Sequence, residues 1–243
     1  VVIASVYRPG ANDRDGAVIA LVAGAMSAAT LGAFYLAVQY GDLSVVAPIG
    51  SVGAIVPVAV GLVQGERPGA LQLVGLPLAL AGAVLAARAE AAELEHEGLA
   101  PHPGRRRQRL CIAFAVLSAA TGGVFLTLSA HAAAHGAIWS VLWSRISLVT
   151  CTGVVIVATR RPILMPALTT LRATVPGLLL VTGTTLFAVA STKGLLAVVS
   201  VLASLSPVVT VAMAVVLLQE RLTKAQWCGV GAAITGVVLL ASG

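Results

Sequence analysis

The chain reads as long apolar runs separated by short polar joints. Runs of roughly 20 mostly apolar residues, the length a helix needs to cross the hydrocarbon core of a bilayer, fall at about 17–38, 43–64, 69–88, 110–129, 137–159, 173–192, 195–218 and 225–242. The joints are turn-rich: RPGANDRDG, QYGD, QGERPG, RRPILMP and QERLTK. The longest joint, 89–109, carries Glu90, Glu93, Glu95 and Glu97, then Arg105, Arg106, Arg107 and Arg109, with Pro101, Pro103 and Gly104 between them. It reads as a linker between two halves, 1–89 and 110–243, with the charged linker itself at 90–109.

The halves repeat one another. VVIASVYRP at 1–9 matches VVIVATRRP at 154–162, and GERPGALQLVGLPLALAG at 65–82 matches QERLTKAQWCGVGAAITG at 219–236. Gly24, Phe34, Ala37 and Gly41 face Gly177, Phe187, Ala190 and Gly194 at an offset of 153, which becomes 154 from Glu66 onward. The partner of Val1–Val6 is the end of a full helix, so Val1 is expected to lie inside a helix whose beginning is absent. The second half opens near Leu110, which places the first half's opening about 43 residues before Val1. The expected parent has five helices per half. A unit with an odd number of crossings ends on the side opposite its start, so its second copy inserts upside down, an arrangement common in secondary transporters. The expected fold class is therefore all-α: a polytopic membrane helix bundle of two inverted five-helix repeats, with about eight complete spans and a partial first helix in this chain.

Composition agrees with a lipid solvent. Mean hydropathy is +1.00, and 58% of residues are hydrophobic against 10% charged, where a soluble domain carries about 25% charged residues. The net charge of +6 comes from 15 Lys and Arg, nearly all between apolar runs, a pattern suited to loops beside anionic headgroups. No basic helix or aromatic-studded stripe suggests a nucleic-acid partner. Cys111, Cys151 and Cys228 are far apart within apolar runs and read as small core residues.

Each half holds an apolar helix that ends in a Glu-Arg turn and is followed by a helix with small residues on one stripe. The copies are VGLVQGERPGALQLVGLPLALAGAVLAA at 60–87 and AVVLLQERLTKAQWCGVGAAITGVVLLA at 214–241. In these motifs, and in its repeat organisation, the chain resembles the EamA-type branch of the drug/metabolite transporter superfamily. The resemblance implies ten helices as two inverted repeats, export of small metabolites or drugs, residence in the bacterial inner (plasma) membrane and cytoplasmic termini. This chain departs from the pattern in lacking its first helix and most of its second. Pro57 also sits three positions off the partner of Pro207.

Several residues invite a functional reading beside a structural one. Arg145 sits about eight residues into the 137–159 run, and an arginine at mid-bilayer costs at least ~2.5–3.5 kcal/mol on insertion scales. With Trp139, Ser140, Trp143 and Ser144 it would make a polar-aromatic wall for an anionic or zwitterionic solute, or else snorkel beside interfacial tryptophans. Ser191, Thr192 and Lys193, and their repeat counterparts Tyr35, Gln39 and Tyr40, would mark the membrane interface; Tyr35 and Gln39, one turn apart, would otherwise line the cavity mouth. Glu66–Arg67 and Glu220–Arg221 either tether helix ends or close one mouth as a gate. Gly75, Ala79 and Gly82 recur as Gly229, Ala233 and Gly236. Such trios let helices approach closely, either between the last helices of the two halves or as a homodimer seam. His131 and His135 lie four apart without a third ligand, so a polar helix end is the ordinary account and a metal is not expected. Pro48, Pro57 and Pro207 would kink their helices.

Loop charges and the positive-inside rule put the 89–109 linker in the cytoplasm and the C-terminus outside, opposite to what the resemblance implies. No GxxxxGK[ST] is present, so energy is expected from an ion gradient or exchange. The expected activity is secondary transport of a small solute by alternating access, with neither enzymatic chemistry nor a cofactor. The alternatives are a membrane-embedded enzyme built on the two histidines and a non-transporting scaffold.

Overall fold

A computed structural model describes residues 14–41, 46, 49–96, 105–159, 167–205, 208–209 and 224–242. Among these, every regular element is helical: α1 (Arg14–Tyr40), α2 (Ile55–Val63, entered through a 3₁₀ turn at Val52–Ala54), α3 (Ala70–His96), α4 (Arg105–Ala134), α5 (Ala137–Thr159), α6 (Ala167–Ser191), α7 (Leu196–Ala203) and α8 (Lys224–Ser242). Among the described residues, four stretches are long and apolar enough to cross a membrane: Arg14–Tyr40, Arg106–Ala134, Ala137–Thr159 and Thr174–Ser191. Ile49–Val63, Ala70–Leu85 and Trp227–Leu240 are shorter apolar helices. Val1–Val6, Pro48, Pro207, Glu220 and Arg221 lie outside the described residues.

Helices run into the expected linker from both sides. α3 runs on to His96 and α4 begins at Arg105. The segment ARAEAAELEH is rich in alanine and glutamate, strong helix formers. Charge ends a membrane crossing without ending a helix. Likewise His131 belongs to the last turns of α4, and the joint to α5 is only His135–Gly136. Gly136 has φ of +132° there, a conformation side chains resist.

Contacts divide the chain into two compact units, Val1–Ala28 with Thr127–Gly194, and Ala29–Leu126 with Leu195–Gly243. In the first, α1 crosses α5 closely. A Cβ on Gly24 would stand 2.6 Å from Ser147 Cβ and would collide with the Ser144 carbonyl. The Ser147 hydroxyl donates to the Leu21 carbonyl at 2.7 Å. Val149, Val154, Val155 and Val157 of α5 and Leu178, Leu179 and Leu180 of α6 are exposed, apolar surface of the kind lipid covers.

In the second unit α3 and α8 pack antiparallel along their lengths. A Cβ on Gly236 would come 2.5 Å from Ala79 N, one on Gly75 2.9 Å from Gly236 O, and one on Gly82 2.7 Å from Gly229 O. Backbones this close are possible only between small residues. The Gln72 amide ties the ends together: its oxygen accepts from Gly69 N at 3.0 Å, the return half of a capping box, and its nitrogen donates to Leu240 O at 3.4 Å. Leu76, Ala79, Ala197, Val201 and Leu240 form one core. Ala37, Val46, Cys111 and Ala115 form another, flanked by Tyr40 stacked on Phe114 at 5.7 Å. Cys111 is buried, whereas Cys228 and its neighbour Trp227 are exposed on α8.

Candidate functional site

The break before α2 follows from one residue. Pro57 has no N–H to give to the carbonyl of Gly53, and its ring crowds that carbonyl. The chain tightens into the 3₁₀ turn Val52–Ala54. Gly53 then meets α4 backbone to backbone. A Cβ on Gly53 would lie 2.7 Å from Ala119 O, and one on Gly123 would lie 2.5 Å from Gly53 O.

Beside this crossing the second unit contains a cavity of about 410 Å³. Thr30 and Phe34 of α1 line it, with Gly50, Ser51, Gly53 and Ala54 ahead of α2. Ser118, Ala119, Gly122, Gly123, Phe125 and Leu126 of α4 form a second wall, and Ala203 and Ser204 close it at the end of α7. Its volume lies within the 300–1,000 Å³ usual for small-molecule sites. Among the described residues no lining side chain is ionisable. The hydroxyls are held by the frame: Ser118 Oγ donates to Thr30 O at 3.1 Å, Thr30 Oγ1 to Thr121 Oγ1 at 3.0 Å, and Ser204 Oγ to Val201 O at 2.7 Å.

Near this cavity the two sequence halves are tied at a helix end. α2 closes with Gly65 N donating to Leu62 O at 3.1 Å and Glu66 N to Gly61 O at 3.0 Å, with Gly65 at φ +89°. This is a Schellman ending, and it needs the glycine. It aims Glu66 at α7, where the carboxylate accepts from Leu196 N at 2.5 Å and Ala197 N at 3.0 Å. Those are two of the N–H groups a helix start leaves unpaired, and the negative charge meets the positive end of the helix dipole. Gly61 is needed too, since a Cβ there would strike the same carboxylate. Arg67 is exposed beside it.

A model of the EamA-like transporter family matches residues 109–242, from the start of α4 through α8. The chain belongs to the EamA-like transporter family. No curated protein matches it. Family and apolar helices together make it a multi-pass membrane transporter of the drug/metabolite superfamily.

In this EamA-like protein the walls of this cavity come from residues other than Arg145, Trp139, Ser140, Trp143, Ser144, Tyr35 and Gln39. Tyr35 and Gln39 are exposed on α1, while Phe34, a third of a helical turn away from Tyr35, reaches the cavity. Tyr35 meets Phe34 edge-on at 5.9 Å. Arg145 is half-buried against α6, donating from Nη2 to Thr184 Oγ1 at 2.5 Å and to Leu180 O at 3.3 Å. Trp139 is exposed and Trp143 half-buried. Ser144 bonds to Val141 O at 2.9 Å on the side of α5 that meets Gly24. The polar-aromatic wall expected on α5 is thus divided between faces. His131 Nδ1 pairs with Thr127 O at 2.8 Å, and His135 covers Gly16. The trios Gly75, Ala79, Gly82 and Gly229, Ala233, Gly236 meet within one chain. Sequence reasoning looked for polarity and so missed Thr30, Phe34, Ser118 and Ser204. A signal was present in the glycines of GSVG at 50–53 and the Gly122–Gly123 pair, close-approach residues ahead of Pro57 and midway along α4.

Proposed function

We propose that this protein is a secondary carrier that exports small solutes across the bacterial inner membrane by alternating access, with the α1–α2–α4–α7 cavity as its solute site. The observation that carries the reading is the mixed parentage of that cavity. α1 and α2 belong to the first sequence half, α4 and α7 to the second. A site shared between halves is what rocking of two related halves can open to either side. The antiparallel pairing of α3 with α8, the last helices of the two halves, supports their inverted insertion. So does the meeting of the end of α2 with the start of α7. The sequence holds no phosphate-binding loop, which favours a gradient or exchange as the energy source.

Counterflow in proteoliposomes preloaded with pooled metabolites tests this. Accumulation of a labelled solute is expected, and Gly123→Leu, which drives a side chain into Gly53 and Val56, is expected to abolish it. Equal accumulation by the parent and by Gly123→Leu would remove the cavity from the mechanism. Accumulation that depends on neither a gradient nor a counter-solute would remove the secondary-carrier assignment.

A further inference from the structure

We infer that the cavity selects non-anionic solutes that bring their own hydrogen-bond donors on an apolar body, and rejects anions. The inference rests on the reading of this cavity as the solute site, and goes beyond it by assigning the chemistry of the solute.

The cavity offers acceptors and few donors. A serine hydroxyl has one hydrogen and two lone pairs. Ser118 spends its hydrogen on Thr30 O and Ser204 spends its own on Val201 O. What each can turn to a guest is oxygen lone pairs. Gly53 O is not a further acceptor, since it takes the Ile55 N–H within the 3₁₀ turn and faces Gly123. Among the described lining residues there is no Lys, Arg or His, and no Trp, Asn or Gln side-chain N–H.

Among the described lining residues an anion finds no cation, and the Ser118, Ser204 and Thr30 hydrogens are already committed, which is the costly case of charge burial. An alcohol or amine finds the reverse: its donors meet the lone pairs of Ser118 Oγ and Ser204 Oγ. Phe34, Phe125 and Leu126 take its apolar part. An ammonium gains further from aromatic rings. Arg145, the arginine expected to favour anions, does not line this cavity; its Nη2 donates to Thr184 and Leu180 of α6.

Three probes with one ring system separate the cases: tryptophol (neutral), tryptamine (cationic) and indole-3-acetate (anionic). Calorimetric titration into the purified chain in nanodiscs is expected to show tryptophol or tryptamine binding at least ~10-fold more tightly than indole-3-acetate, about the worth of one charge-assisted hydrogen bond. Ser118→Lys adds an ammonium to the wall and is expected to reverse that order. Ser204→Lys serves the same purpose from the α7 side should Ser118→Lys fail to fold. Indole-3-acetate binding as tightly as the other two to the unaltered protein overturns the inference, as does an order that neither lysine variant changes. No binding by any probe while an anionic solute is still transported overturns it as well. Selective binding of a non-anionic probe without transport of any solute upholds the assignment of the cavity and defeats the carrier reading instead.

Discussion

Replacing Glu66 by alanine removes both acceptors from the start of α7. The Leu196 and Ala197 amides that it serves belong to residues 6% and 0% exposed, so water replaces the carboxylate poorly. Loss of a helix cap costs ~0.5–2 kcal/mol. Leaving a buried N–H unpaired costs ~1–3 kcal/mol. Glu66 is itself part-exposed, so water recovers some of the nearer bond, and the expected loss is ~2–3 kcal/mol rather than the sum of those ranges. Glu66→Gln keeps one oxygen and gives up the charge, so about half of that loss is expected. Hydrogen exchange in nanodiscs reads the effect directly: amides 196 and 197 should exchange ~30-fold or more faster in Glu66→Ala. Gly61→Ala displaces the same carboxylate from the other side and should reproduce much of the effect. Unchanged exchange at both amides in Glu66→Ala would refute the capping argument. Equal acceleration in the Gln and Ala variants would refute the share given to the remaining oxygen.

Other expectations follow from the same geometry. Gly236→Val should separate α3 from α8 and destabilise by at least ~2 kcal/mol, whereas Gly231→Ala on an open face of the same helix should be neutral or gain up to ~1 kcal/mol; thermal unfolding in detergent compares them. Arg145→Ala and Thr184→Val should couple by ~1 kcal/mol in a double-mutant cycle, and independent effects would show that their hydrogen bond is not formed in the membrane. Ser147→Ala should loosen the α1–α5 crossing by ~1 kcal/mol, seen as faster exchange near Leu21. Gly53→Val should remove transport while leaving α3–α8 cross-linking intact, and retained transport would separate the α2–α4 crossing from function.

The apolar runs made most of the helices legible, and the span at 137–159 coincides with α5, because hydrocarbon imposes a length on what it surrounds. The helix ends were less legible. Ala, Glu and Arg continue α3 and start α4, and a hydropathy pattern does not mark where such a helix stops. Small-residue trios were readable because close packing leaves its mark as a spacing. The cavity was not. Its wall is made of glycine, alanine, serine and phenylalanine, residues indistinguishable by composition from those that face lipid, and only the crossing at Gly53 and Gly123 gathers them. Arg145 is conspicuous as a charge in an apolar run; its Nη2 ties α5 to α6, while its Nε is buried without a partner among the described residues.

The chain also carries its own reporter of sidedness. Cys228 stands exposed near the beginning of α8 with Trp227 beside it, while Cys111 is shut beneath Gly41. A bulky maleimide that cannot pass through lipid should discriminate between these two thiols by access alone. Applied to whole cells and then to inverted vesicles holding a Cys151→Ser variant, which removes the half-buried third thiol on α5, it would read out which compartment the start of α8 faces.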